Sequence, residues 1–145
     1  MSGAVRFAGY AAIFDREDRG GDVILPGAFA DSLARLGGAP LPLLWQHDDG
    51  QPIGVVESIS EDGRGLRVIG RLMPRPGVAA RAAEAVRQGR IDGLSFGYRV
   101  VDAAQGPPRR LERLDIVEVS LVAHPMQPLA RVHAVEGEGP LSNFA

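Results

Sequence analysis

Gly93-Leu94-Ser95-Phe96-Gly97-Tyr98 alternates apolar and small residues with the period of a β-strand. Leu94, Phe96, Tyr98 and Val100 fall on one face, and Ser95, Gly97 and Arg99 fall on the other. The apolar face packs and the serine face stays open. Gly97 shares that open face and carries no side chain, so the expectation is free space in front of the hydroxyl for a substrate backbone. A strand serine by itself identifies no chemistry, and its meaning depends on what the remaining segments bring to it.

Working outward, the preceding segment predicts a helix over 78–87, with Val78, Ala82, Ala85 and Val86 on its apolar side and Gly89 as the C-terminal stop. The following segment, 102–108, reads as a loop, and Leu111 to Ala123 as a strong strand. Pro125 and Pro128 are expected to end regular pairing. Toward the N-terminus, Val5 to Phe14 reads as a strand ending at a charged cluster, and Val23-Ile24-Leu25 as a short apolar run. Phe29, Leu33 and Leu36 then predict a short helix stopped at Gly37-Gly38. Leu41 to Asp48 reads as a strand carrying His47 at its end, followed by an Asp49-Gly50 turn. Two strands, 53–59 and 66–72, are expected to form a hairpin about Glu61-Asp62-Gly63. Many short strands, two helices and no internal repeat predict a mainly β (α+β) fold, a small closed or partly open β-barrel flanked by short helices. Helices do not alternate regularly with strands, which argues against a parallel α/β sandwich.

The 145 residues are read as one domain over 1–135 and a mobile tail over 136–145. A formal charge of −2 gives no broad basic footprint, which disfavours a nucleic-acid partner. The absence of cysteine removes a thiol nucleophile, a disulfide framework and a cysteine zinc site together. The first residues lack a basic region followed by an apolar run, and no later run is long enough to cross a bilayer, so the reading is a soluble cytoplasmic protein without a membrane partner.

Three side chains carry the candidate chemistry. Ser95 needs a base to become a nucleophile, and a near-neutral imidazole such as that of His47 suits the task. Glu118 lies in the apolar run Ile116 to Val122 on a face read as shared with Ile116 and Ser120, where a carboxylate needs a partner. Asp115 falls on the other face by strand parity and ranks below it unless a bulge shifts the register. Each residue also has a structural explanation: Glu118 as partner to one of many arginines, His47 as a surface residue. His47-Asp48-Asp49 matches no strong metal-ligand spacing, so neither metal nor cofactor is expected. The letters Gly-x-Ser-x-Gly around Ser95 match a nucleophile elbow but lie on a strand and not at a strand-to-helix turn.

Several segments together resemble the prohead protease family of tailed phages and related gene transfer agents. They are Gly9-Tyr10-Ala11, Gly21-Asp22-Val23-Ile24 with Pro26-Gly27-Ala28-Phe29, Leu44-Trp45-Gln46-His47-Asp48, Pro52-Ile53-Gly54, the serine stretch, and Glu118-Val119-Ser120-Leu121-Val122 followed by Pro125. The resemblance implies a fold like that of the herpesvirus maturation protease, assemblin, whose third triad member is a histidine in the place Glu118 takes here. It implies a serine endopeptidase with His47 as general base, Ser95 as nucleophile and Glu118 as orienting acid. Oxyanion or substrate-positioning roles fall to Gly97, Ala123, His124 and Met126, with Pro125 unable to donate. The implied partner is the major capsid protein or its scaffolding segment, cut inside assembling procapsids of a bacterial host, with cleavage of the protease itself. Homo-oligomerisation is left open by the same resemblance. A catalytically silent barrel serving capsid assembly is the alternative, and a metal-dependent hydrolase built on His47 and Asp48 a third.

Overall fold

The computed structural model describes residues 5–136. In chain order it contains β1 (Val5–Ile13), β2 (Asp22–Ile24), α1 (Ala30–Leu36), β3 (Leu41–Trp45), β4 (Asp48–Glu61), β5 (Gly65–Leu72), α2 (Val78–Arg87), β6 (Gly93–Ala104), β7 (Arg109–Val122) and β8 (Val132–Glu136). The predicted tail lies outside the described residues except for Glu136, which ends β8 and pairs with Arg6 at 2.8 Å.

All eight strands join one sheet, and β7 is its hub. One edge of β7 pairs antiparallel with β6 along most of its length. The other edge pairs in parallel first with β2, through Val23↔Arg110, and then with β3, through Leu44↔Ser120. Between these two ladders the α1 segment fills the gap. The Leu114 amide donates to the Ala28 carbonyl at 3.0 Å, and the Ile116 amide to the buried Ser32 hydroxyl at 3.0 Å. Interior β7 thus leaves no row of open amides there. From β3 the order continues β4, β5, β1, β8 through antiparallel ladders.

The sheet curls but the path of its ladders does not close. β8 pairs with β1, and the two sheet ends meet only at the isolated bridge Gly93↔Arg131, with Leu94 donating to the Ala130 carbonyl at 3.0 Å. Pro125 and Pro128 keep the intervening chain out of a ladder. The architecture is therefore mainly β with two helices and partly open, not a closed barrel. Among the described residues no helix is long and apolar enough to cross a membrane.

Strand parity explains the core. Leu94 and Phe96 of β6 point inward to meet Leu43, Val119 and Leu121, all buried. The rings of Phe29, Phe96 and Tyr98 follow one another, Phe29 edge-on to Phe96 at 5.3 Å between centroids and Phe96 tilted against Tyr98 at 4.7 Å. Helix α2 occupies the predicted span, buries Ala79, Ala82, Ala85 and Val86, and is followed by Gly89 at φ +70°. At the other helix, Glu61 from the end of β4 accepts hydrogen bonds from the Gly27 and Phe29 amides, at 3.0 and 2.8 Å, and so caps the turn that opens α1.

Four local readings change. The chain turns at Gln46-His47, not at Asp49-Gly50, because Trp45 pairs directly with Asp48. The Asp-Gly signal is absorbed within β4, where the Asp48 carboxylate accepts the Gly50 amide at 2.9 Å. Residues 102–104 extend β6 rather than opening a loop, and β8 forms over Val132–Glu136, taking in Glu136, which was read as the first residue of the tail. A bulge leaves Val117 unpaired between Tyr98↔Ile116 and Gly97↔Glu118. It turns Ile116 into the core and Val117 outward, so Glu118 shares its face with Ser120 but not with Ile116.

Candidate active site

The β6–β7 register sets Ser95 opposite Ser120 and Gly97 opposite Glu118. Directly opposed residues project to the same face with β-carbons roughly 5 Å apart. The side chains of Ser95, Ser120 and Glu118 therefore gather on one side of two neighbouring strands, away from Leu94, Phe96 and Val119. Ser95 is 8% exposed, and its hydroxyl makes no hydrogen bond among the described residues.

His47 reaches this face from the β3–β4 turn. With two central residues, Gln46 at φ +54° and His47 at φ +63°, the turn has both in the left-handed region, as a type I′ hairpin requires. Asn-Gly is the usual choice, and left-handed backbone costs about 1–2 kcal/mol for an ordinary residue. Four anchors offset that cost. The Gln46 amide donates to the Leu121 carbonyl at 2.9 Å, and the Gln46 Oε1 accepts the Ala123 amide at 3.1 Å. The His47 amide donates to Ser120 Oγ at 3.1 Å, and His47 Nδ1 meets Glu118 Oε2 at 2.6 Å.

Glu118 is itself 8% exposed and held at both oxygens. Ser120 Oγ donates to Oε1 at 2.7 Å while Oε2 takes the histidine. The hydrogen bond to Glu118 raises the His47 pKa above the ordinary histidine value, working against burial, which lowers it, and its negative charge adds to the rise. With Nδ1 turned to the carboxylate, Nε2 is the nitrogen left to exchange a proton with a neighbour.

The open space expected over Gly97 is filled. A β-carbon placed there would lie 2.4 Å from Glu118 Oε2, so the missing side chain makes room for the carboxylate rather than for a substrate. The Ala123 amide is also engaged, by Gln46. His124 and Met126 are exposed on the turn after β7, and Pro125 of that turn rests on Gly93, two residues before Ser95, where an added β-carbon would meet its ring at 2.8 Å. Asp115 is bound to Arg35 of α1 and takes no part in the histidine pair.

Two depressions flank these residues. A groove of about 440 Å³ runs past His47 and Glu118 between Pro42, Leu44, Asp49, Pro52 and Val117. A narrower crevice lies beside Ser95, bounded by Ile24, Phe96, Tyr98 and Met126, with Asp18 and Asp22 at its polar side. Burial, followed by the charges of Asp22 and Asp18, holds the Tyr98 phenol above its ordinary pKa. Among the described residues no group of three or more histidine, aspartate and glutamate side chains is arranged to hold a metal ion.

Sequence reasoning offered Glu118 as the partner of His47, and the structure brings the two into contact. It gave no role to Ser120 or Gln46. The signal available for Ser120 was its period-two spacing from Glu118 on a strand otherwise apolar. Gln46 carried no comparable signal, because the turn that exposes its role was placed three residues too late.

The family model of the Caudovirus prohead serine protease matches residues 2–140. Over 95 residues the chain is 38% identical to the prohead protease of Enterobacteria phage HK97, an alignment covering 65% of this chain and 42% of that protein. The chain thus spans less than half the length of that relative. In fold it is similar to the bacteriophage T4 capsid assembly protease, with a TM-score of 0.66 at 14% identity over 81% of this chain and 80% of that one. It is likewise similar to varicella-zoster virus protease, with a TM-score of 0.62 at 16% identity over 92% of this chain and 64% of that one.

Proposed function

The chain belongs to the Caudovirus prohead serine protease family, and from that membership and the geometry of its site we propose that it is a serine endopeptidase acting on the scaffolding segment of the major capsid protein, and on itself, within assembling procapsids. The observation that carries the reading is the His47–Glu118 contact of 2.6 Å, built on the strand face that also presents Ser95. A carboxylate fixed on Nδ1 leaves Nε2 to accept the proton of a hydroxyl brought within hydrogen-bond reach, and Ser95 stands on the same strand face as Glu118, one strand across the ladder.

In this mechanism Ser95 Oγ attacks the carbonyl carbon of the scissile peptide as its proton passes to His47 Nε2. The carbonyl π electrons move to oxygen, and Glu118 stabilises the imidazolium through Nδ1. Collapse of the tetrahedral intermediate breaks the C–N bond, His47 returns the proton to the leaving amine, and an acyl-Ser95 ester remains. Water, deprotonated by His47, then attacks the ester carbonyl, and collapse of the second tetrahedral intermediate breaks the C–Oγ bond as His47 returns the proton to Ser95 Oγ and the acid product leaves. The oxyanion needs amide donors. With the Ala123 amide bound to Gln46 and Pro125 lacking one, the His124 and Met126 amides are the candidates from that turn. Apo geometry often leaves the nucleophile and base without their hydrogen bond until substrate binds, which accommodates the unpaired Ser95 hydroxyl.

The test is the intact mass of the cognate major capsid protein after co-expression with this chain, beside a Ser95→Ala control. Loss of an N-terminal segment with the wild type alone supports the proposal. Assembled shells with uncut capsid protein in both samples would turn the account toward a silent assembly factor.

A further inference from the structure

We propose that Ser120 is a positioning residue of this site, fixing at once the backbone of the base and the carboxylate that orients it. The inference rests on the catalytic reading above and adds a residue to it. Ser120 is fully buried, and its single hydroxyl is used in both directions. As acceptor it takes the His47 amide at 3.1 Å, and as donor it holds Glu118 Oε1 at 2.7 Å. One oxygen therefore links the two partners that also meet through Nδ1 and Oε2 at 2.6 Å.

Geometry explains why a hydroxyl is needed. The His47 amide belongs to a residue at φ +63°, outside any ladder, and the acceptor it finds is Ser120 Oγ. Glu118 Oε1 is a buried anionic oxygen and requires a donor. Alanine would satisfy neither. A residue two positions beyond Glu118 on a strand lies on the same face, and the parallel pairing Leu44↔Ser120 brings the β3–β4 turn over it. Both bonds thus follow from register. Ser120 also opposes Ser95 across the β6–β7 ladder, so the same residue sets the height of the base above the strand that carries the proposed nucleophile.

With Ser120→Ala, Glu118 loses the bond that holds its far oxygen, the carboxylate turns, and its contact with Nδ1 loosens. The charged group bound to the ring is Glu118, and Asp49 lines the groove beside it. The experiment is titration of the His47 ring by NMR in the wild type, Ser120→Ala, Glu118→Ala and the double variant, with kcat/KM on a capsid-derived peptide for each. The ring pKa is expected to fall toward the ordinary histidine value in Ser120→Ala. kcat/KM should fall about tenfold or more through kcat, as for a buried charged acceptor left without its donor, and adding Ser120→Ala to Glu118→Ala should cost much less than that. An unchanged or higher ring pKa, or equal losses in both backgrounds, overturns the proposal. The NMR titration needs no turnover, so activity retained by Ser95→Ala would defeat the peptidase reading while leaving the ring titration to judge Ser120. If Ser120→Ala fails to fold, Ser120→Cys keeps the volume with a weaker donor, and its ring pKa should lie below that of the wild type; an equal or higher value refutes the inference.

Discussion

Replacing Gly97 by alanine perturbs the site without removing any of its polar atoms. The new β-carbon would stand 2.4 Å from Glu118 Oε2, 3.0 Å from Cδ and 3.1 Å from Cγ. An unstrained carbon contact is about 3.5 Å or more, so the carboxylate must withdraw by roughly 1 Å. A flexible glutamate would yield easily at a surface, but this one is buried and bound at both oxygens. Adding about 1 Å to the 2.6 Å contact with His47 Nδ1 takes it beyond hydrogen-bonding distance. A hydrogen bond to a charged group is worth about 1.5–3 kcal/mol, which in rate is roughly ten- to a hundred-fold. The folded state should lose less, since Gly97 sits in regular strand and alanine restricts the unfolded chain, an offset of about 0.4–1 kcal/mol. The assay is kcat/KM against pH on a capsid-derived peptide, with thermal unfolding of the same sample. The expected result is a large fall in rate, an acid limb displaced to lower pH and a small change in Tm. Full activity with an unmoved acid limb would refute the reasoning, because it would mean that the Glu118 contact does not govern the base.

Other predictions follow from the same contacts. His47 is active as a base only when neutral, and its pKa is raised by Glu118, so activity should rise through a pH above the ordinary histidine range; Glu118→Gln should move that rise downward in a pH–rate profile. The sign for stability is opposite: a raised folded-state pKa contributes stability that is complete below the unfolded value and is lost as pH rises through the folded one, so denaturant titrations of wild type and His47→Ala should converge on the alkaline side. Leu94→Ala empties a fully buried site behind Ser95 and should cost about 2–5 kcal/mol in chemical denaturation.

Much of the fold was legible because period-two and helical spacing reports directly on burial. The span of α2, the 53–59 and 66–72 hairpin and the inward Leu94 and Phe96 of β6 came from that signal, while Val100, read onto the same face, is exposed. Features decided by pairing between distant segments were not legible. Asp49-Gly50 is the stronger local turn signal, yet the parallel ladder of β3 with β7 carries Gln46 onto Leu121 and forces the reversal earlier. The Val117 bulge likewise arises from the match of β6 to β7 and reverses parity in a run that reads as uniform. Gly97 shows the same limit. A glycine beside a serine suggests open space, and only the cross-strand register reveals that Glu118 occupies it. The His47–Glu118 partnership was readable from the cost of a carboxylate in an apolar strand, whereas Ser120 became legible only once both ends of its hydroxyl were placed.

The most direct test of the central claim is reaction of the chain with a fluorophosphonate, followed by intact mass and peptide mapping in the wild type, Ser95→Ala and His47→Ala. A single adduct on Ser95, formed faster as His47 loses its proton and strongly slowed in His47→Ala, is the predicted result. An adduct that persists in Ser95→Ala, or labelling of Ser95 indifferent to His47, would contradict the account.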